Sequence, residues 1–247
     1  MSNIKNRIVI VGASSGMGQR CAEIFAQKGY KVAVAARREE QLKNLQAKYP
    51  DNVVYSVIDI TKDDAADRLN ALIDKNDGMD IYFHASGIGF HNGELDFDKE
   101  VSTLEVNAVG FTRMIVTAFN YFKENNIHGH ISCITSIAGT KGLGAAPSYS
   151  ATKRFQNTYI ESLEQLSRMD KLSISFTDIR PGFVKTALLD SKRNYPLLMD
   201  ADKVSKTIVK AIENKKRKIV INNLYAVITF FWSLIPSFIW VRLKIRN

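Results

Sequence analysis

Short apolar runs alternate with longer amphipathic stretches along most of this chain. Arg7–Val11, Lys31–Ala36, Val53–Ile58, Ile81–His84, His130–Ile134, Ser173–Ile179 and Lys218–Ile221 have the length and β-branched content of strands. Between them, the stretch after Gly18 to Lys28, then Glu39–Lys48, Asp63–Lys75, Glu100–Glu124, Ser150–Met169 and Ala201–Glu213 show helical spacing. Gly29 and Pro50 close the first two of these helices, and Pro147 precedes the fifth. Strands separated by helices pair in parallel through right-handed crossovers, which places helices on both faces of the sheet. Ile8–Val11 is apolar throughout, as a strand covered on both faces must be. The expected fold is α/β, a doubly wound seven-stranded parallel sheet formed by residues 1–221, with residues 222–247 as an appended tail. The ligand of such a sheet sits beyond the carboxyl ends of its strands, near the switch in strand order.

Composition changes this picture little. The chain of 247 residues suits one large domain, and 45% hydrophobic with 24% charged residues is ordinary for a globular protein. Cys21 and Cys133 match no metal-ligand spacing and form no disulfide framework, so the expectation is no metal and a reducing cytoplasmic setting. The apolar run Ile8–Val11 is too short for a secretory signal and leads straight into a glycine loop. Charge is more informative once located. From Lys203 onward there are ten basic residues and one acid, Glu213, so the net +9 of the chain lies there and the first 202 residues are neutral. That pattern argues against a generally basic nucleic-acid-binding domain and for a local basic feature.

Gly12-Ala-Ser-Ser-Gly16-Met-Gly18 stands between a strand and a helix, an arrangement that brings backbone and a helix amino terminus against a pyrophosphate. The plain alternative is a tight strand-to-helix turn. After the second strand the chain reads Ala35-Ala36-Arg37-Arg38, with no acid before Glu39 to bind a ribose 2′-hydroxyl. Paired guanidinium groups suit a 2′-phosphate, which points to NADP(H); otherwise they are a solvated helix start.

Tyr149-Ser-Ala-Thr-Lys153 puts a phenol and an ammonium on one face of a helix. The motif alone is common. Its weight comes from Ser136, thirteen residues earlier in a Ser/Gly-rich loop after the strand ending near Ile134, and from Asn107 within Glu100–Glu124.

Taken together, these residues resemble the short-chain dehydrogenase/reductase family, over nearly the whole chain to about Ile221. Gly12, Gly16 and Gly18 match its cofactor loop, Asp59 its adenine-contacting acid, and Ala85-Ser86-Gly87 part of the element after its fourth strand. Asn107, Ser136, Tyr149 and Lys153 match its catalytic tetrad, and Pro181-Gly182 with Thr186 the segment flanking the nicotinamide. The resemblance implies a Rossmann-like domain, further cofactor contacts from Ser14, Ser15, Met17, Ile60 and Val184, and hydride transfer between the cofactor and a carbonyl or alcohol. In that scheme Tyr149 exchanges the proton, Ser136 holds the substrate oxygen, Lys153 holds the nicotinamide ribose and favours the phenolate, and Asn107 holds a relay water. It also implies a homodimer or homotetramer built on the long helices. Two positions depart from the family: Val11 stands for a Thr, and His84 for the first Asn of the fourth-strand motif. His84 reads as a structural or cofactor-edge residue rather than a catalytic one.

The stretch Asn222–Val241 carries no charge and six large aromatic residues, flanked by Lys215–Lys218 before it and Arg242, Lys244 and Arg246 after it. Three readings compete: burial on the domain or a partner subunit, an interfacial membrane element, and, less suited because Pro236 interrupts it, a spanning helix. The segment Phe183–Asp200, expected over the substrate, mixes Leu188, Leu189, Tyr195, Leu197 and Leu198 with Lys185, Lys192 and Arg193, which suits an apolar, lipid-like carbonyl. An inactive cofactor-sensing protein on the same fold is the alternative function, and a nucleic-acid module stands third, supported only by the terminal charge.

Overall fold

A computed structural model describes residues 6–189 and 193–245. Seven parallel strands run in the order β3-β2-β1-β4-β5-β6-β7. They are β1 (Arg7–Val11), β2 (Lys31–Ala36), β3 (Val53–Val57), β4 (Ile81–His84), β5 (His130–Ile134), β6 (Ser175–Arg180) and β7 (Lys218–Val220). The chain begins in the middle of the sheet, winds outward to β3, and returns to place β4 beside β1. Val11 faces Ala35 on one side and His84 on the other, so the switch in order opens at the carboxyl ends of β1 and β4.

The apolar runs form strands because both of their faces are buried. Val9, Val11, Ala33 and Ala35 point into a core under α3 (Ala65–Lys75), α5 (Phe111–Glu124) and α6 (Pro147–Met169). Their neighbours Ile8, Ile10, Val32 and Val34 point into a second core under α1 (Gly16–Gln27), α2 (Glu39–Lys48) and α7 (Ala201–Glu213). Each fully buried Ile or Phe contributes about 1.5–3 kcal/mol. The expected stop after α1 takes a defined form. Gly29, at φ 80°, turns the chain, its N–H donates to Ala26 O and that of Tyr30 to Phe25 O.

Several boundaries differ from the sequence reading by a few residues. The helix expected at Glu100–Glu124 is α4 (Phe97–Leu104), a π segment at Glu105–Gly110, and α5. It starts early because the Asp96 carboxylate accepts the Lys99 N–H at 3.2 Å and caps it. The sixth strand starts at Ser175, the fifth helix at Pro147, and β7 ends at Val220. The stretch after β7 forms α8 (Asn223–Leu234) and α9 (Ser237–Trp240), broken at Pro236. Lys215–Lys218 leads into the amino end of β7. Of the charges read in the tail and the substrate segment, Lys192 and Arg246 lie outside the described residues.

Candidate active site

A cleft of about 360 Å³ lies between the loops that follow β1, β2, β3 and β4. Its first wall is main chain. Gly12 has φ 95°, and a Cβ there would stand 2.5 Å from the Ser86 nitrogen. A Cβ on Gly18 would stand 2.3 Å from Gly12 O, so the start of α1 is pressed on the turn that precedes it. Gly16, at φ 57°, faces the Thr186 methyl at a distance that leaves room beside it. Glycine is needed at the first and last of these for close approach, and at Gly12 and Gly16 for the left-handed backbone. Ser14, Ser15 and Met17 complete the loop side of the cleft.

Arg38 reaches back over that loop. Its Nη2 donates to Ser15 Oγ at 2.6 Å and to Ser14 Oγ at 3.0 Å. Arg37 lines the same end, opposite Asp59 and Ile60. Burial raises the Asp59 carboxyl, but the Thr61 N–H and hydroxyl and the nearby Arg37 outweigh it, so the group is held below the usual carboxylate range. Ala85, Ser86 and Gly87 form the floor where β4 ends. Sequence reasoning missed Val11, Ala36 and Ile58 in this lining, because apolar residues at strand ends read as core, and it gave no signal for Ile88, Val106 and Ala187; Leu188, expected over the substrate, lines the cleft.

Gly87 marks the inner end of the cleft. A Cβ there would lie 3.3 Å from Asn107 Oδ1 and 3.4 Å from Lys153 Nζ, so these two side chains stand just behind it. Two residues on, a Cβ at Gly89 would meet the Tyr149 ring at 2.4 Å, a close approach that sequence reasoning did not single out. The nearby Ser136 hydroxyl lowers the phenol pKa of Tyr149, but burial raises it more and the net direction is up. Lys153 Nζ stands 5.7 Å from the centre of the Tyr149 ring. It is 4% exposed, and burial lowers its pKa to about 8 against the opposing influence of Cys133 and Asp178.

Asn107 occupies the π segment and uses both ends of its amide on the loop: Oδ1 accepts from Ile88 N at 2.9 Å and Nδ2 donates to Ile88 O at 2.6 Å. Wide turns of this kind free main-chain groups from the helix ladder, and they recur at functional sites. Here the Asn107 carbonyl accepts from Gln156 Nε2 at 2.9 Å, while Gln156 Oε1 accepts from Lys153 Nζ at 2.9 Å. A fully buried glutamine amide thus joins Asn107 and Lys153. Gln156 was not foreseen. Its one sequence signal is its place three residues after Lys153, on the same helical face.

A second buried network steadies Ser136 and its loop. Thr135 Oγ1 donates to Asp178 Oδ1 at 2.5 Å, Asn157 Nδ2 donates to Thr135 Oγ1 at 2.8 Å, and Arg180 pairs with Asp178 at 2.6 Å. Pro181 O accepts from Ile137 N, which joins the ends of β5 and β6. Gly182 packs under Tyr225 of α8. Val184 is buried and bridges Met199. Asn107, Tyr149, Lys153, Pro181, Gly182 and Val184 thus lie beside or behind the cleft, and the other expected cofactor contacts line it. His84 is fully buried and shares a hydrogen bond with Tyr82 through Nδ1 at 3.0 Å. Burial, with Lys153 nearby, lowers its pKa to about 3, so it is neutral at physiological pH.

The family model for short chain dehydrogenases matches residues 6–196, most of the chain and every element that forms the cleft. This protein belongs to the short-chain dehydrogenase/reductase family. An uncharacterized oxidoreductase of Mycobacterium tuberculosis is 29% identical, aligned over 96% of this chain and 94% of its own. Among solved structures, a family member from Burkholderia phymatum in complex with NAD superimposes with a TM-score of 0.81 at 19% identity, covering 93% and 94% of the two chains. An alcohol dehydrogenase from Thermococcus sibiricus complexed with 5-hydroxy-NADP gives 0.76 at 20% identity, covering 90% and 97%. Membership makes this chain an oxidoreductase, and these likenesses confirm the seven-stranded fold.

Proposed function

We propose that this short-chain oxidoreductase is NADP(H)-dependent and reduces a carbonyl, a ketone or a 3-oxoacyl or ketolipid-like group, to an alcohol, or runs the reverse reaction. One observation carries the proposal: Tyr149, with Ser136 and Lys153 close by, stands behind the inner end of a cleft whose outer end holds Arg37 and Arg38. The residues present fit a dinucleotide. Gly12, Gly16 and Gly18 form a backbone cradle that a Cβ would fill or strain, at the amino terminus of α1. Arg37 and Arg38 would take a 2′-phosphate, and Asp59 with Ile60 would border the adenine. Lys153 would hold the nicotinamide ribose, and Pro181, Gly182 and Thr186 would flank the ring.

When bound, the dihydronicotinamide supplies the hydride. Ser136 donates a hydrogen bond to the substrate oxygen where charge develops, and Tyr149 gives its phenolic proton to the forming alkoxide. A phenol held above its ordinary range is a poor acid, so the buried Lys153 ammonium has to stabilise the phenolate that remains. Gln156 holds that ammonium in place. Exposed Val109, Val116, Phe155, Leu166 and Met169, around the π segment, α5 and α6, support a homodimer or homotetramer built on those helices.

The test is carbonyl-dependent oxidation of NADPH across a panel of ketones, acyl thioesters and ketolipids. Tyr149→Phe should lower kcat about 10³-fold while leaving NADPH binding near wild type. Substantial turnover by that variant would overturn the assignment.

A further inference from the structure

The outward side of α8 is unlike that of a helix facing water. Tyr225 and Thr229 are buried on its inner side, and Trp232 meets Trp240 edge-on with ring centres 5.2 Å apart. On the opposite side Leu224, Val227, Phe230, Phe231 and Leu234 are each 49–61% exposed. Exposed Phe238, Val241 and Leu243 follow. A surface helix ordinarily turns polar side chains outward, and apolar surface of this kind marks a binding face. No acid occurs after Glu213, whereas Arg242 and Lys244 are exposed at the end of the apolar run.

The same segment is tied to two loops, one of which leads into Tyr149. Tyr225 Oη donates to Pro196 O at 2.6 Å, in the segment whose next residues, Leu197 and Leu198, are exposed. Lys141 Nζ donates to Ile235 O, and Trp240 Nε1 to Gly142 O, both at 2.7 Å, on the loop that leads into α6 and Tyr149.

We propose that α8 and α9 seat this protein on an anionic bilayer surface, outward side in the headgroup–acyl boundary, so that the Tyr149 site takes its carbonyl from the bilayer. Twelve residues make α8 about 18 Å long, short of the roughly 30 Å hydrocarbon core, and Pro236 ends it. None of the described helices is long and apolar enough to cross a membrane. The element therefore lies in the interface plane, where its aromatic side chains sit well and its terminal cations attract anionic lipid. A second copy of this chain fits less well. In a two-fold contact the patch would face itself, and it would bring Arg242 and Lys244 together with no acid between them.

Delivery of substrate rests on the Tyr149 reading; the bilayer seat does not. The experiment floats the full chain with vesicles of phosphatidylcholine alone or mixed with phosphatidylglycerol. It compares wild type with Phe230→Ser/Phe231→Ser/Leu234→Ser and with Arg242→Glu/Lys244→Glu. Wild type should float with the anionic vesicles about tenfold better than with neutral ones, the first variant should stay behind, and the second should lose the preference for anionic lipid. Turnover of a water-soluble ketone should be unchanged in both, which shows that they fold. Turnover of a ketone dissolved in anionic vesicles should fall about tenfold or more in the first. Failure of wild type to float, or flotation of the first variant equal to wild type, would overturn the proposal. So would a dimer that the first variant splits without any vesicle binding. Flotation without turnover of any carbonyl would overturn the Tyr149 reading and the delivery, leaving the seat itself supported.

Discussion

The two ends of the cleft are built from opposite materials. The outer end is shaped by missing side chains: at Gly12 and Gly18 a single added carbon would meet neighbouring main chain within 2.5 Å. The inner end is shaped by polar side chains that are present and buried, with Asn107, Lys153 and Gln156 each no more than 4% exposed and joined in one chain of hydrogen bonds. A ligand held by backbone is recognised through shape, and a side chain in place of Gly12 or Gly18 is an obstacle. A proton is moved by particular groups at particular charge states, and there the energetics of burial decide.

This contrast is broken most forcefully at the glycine end. Gly18→Val should weaken dinucleotide binding about 100-fold, read by fluorescence titration, because the obstacle is the rigid Gly12 carbonyl. Binding within a few-fold of wild type would mean that the cradle yields. The next effect concerns charge. Arg37→Asp with Arg38→Ala should lower kcat/KM for NADPH relative to NADH about 30-fold, since each charge-assisted bond contributes roughly 1.5–3 kcal/mol. An unchanged ratio would leave Arg38 only its structural role over Ser14 and Ser15.

The smallest effect falls on the wired end and has a sign as well as a size. In the reductive direction Tyr149 must be protonated and Lys153 charged. The phenol is pushed up by burial and the lysine down to about 8, so the lysine sets the alkaline limb of kcat/KM, near pH 8. Gln156→Met removes an acceptor that favours the ammonium, so that limb should move to lower pH, with kcat down about tenfold. Gln156→Glu should move it to higher pH. A purely structural glutamine would lower stability in both variants and leave the pH profile where it was.

The materials also explain what the sequence made legible. Strands buried on both faces announce themselves as apolar runs, which is why all seven were found within a residue or two. The glycine loop was legible because missing side chains are visible in sequence. Gln156 was not, since a glutamine inside an amphipathic helix normally faces water and only the packing of α6 against the π segment buries it. The start of α4 was missed because Phe97, the first helical residue, is 76% exposed and breaks the amphipathic pattern, although Asp96 ahead of it was a usable cap signal. The tail read as one apolar stretch, and only the fold shows which of its sides is covered.

The wide turn at Glu105–Gly110 has an effect beyond the placing of Asn107. It sets the rotational phase between α4 and α5, two helices that are otherwise one. Removing one residue there would let an uninterrupted α-helix form with the same rotation from end to end. Phe111, Met114, Ile115 and Ala118, all buried against the sheet, would keep their stations, and the loss would fall on Asn107 and the carbonyl that receives Gln156. A residue removed within α5 would instead turn that buried face by about 100°, so the gene should tolerate a lost codon better at the wide turn than beyond it.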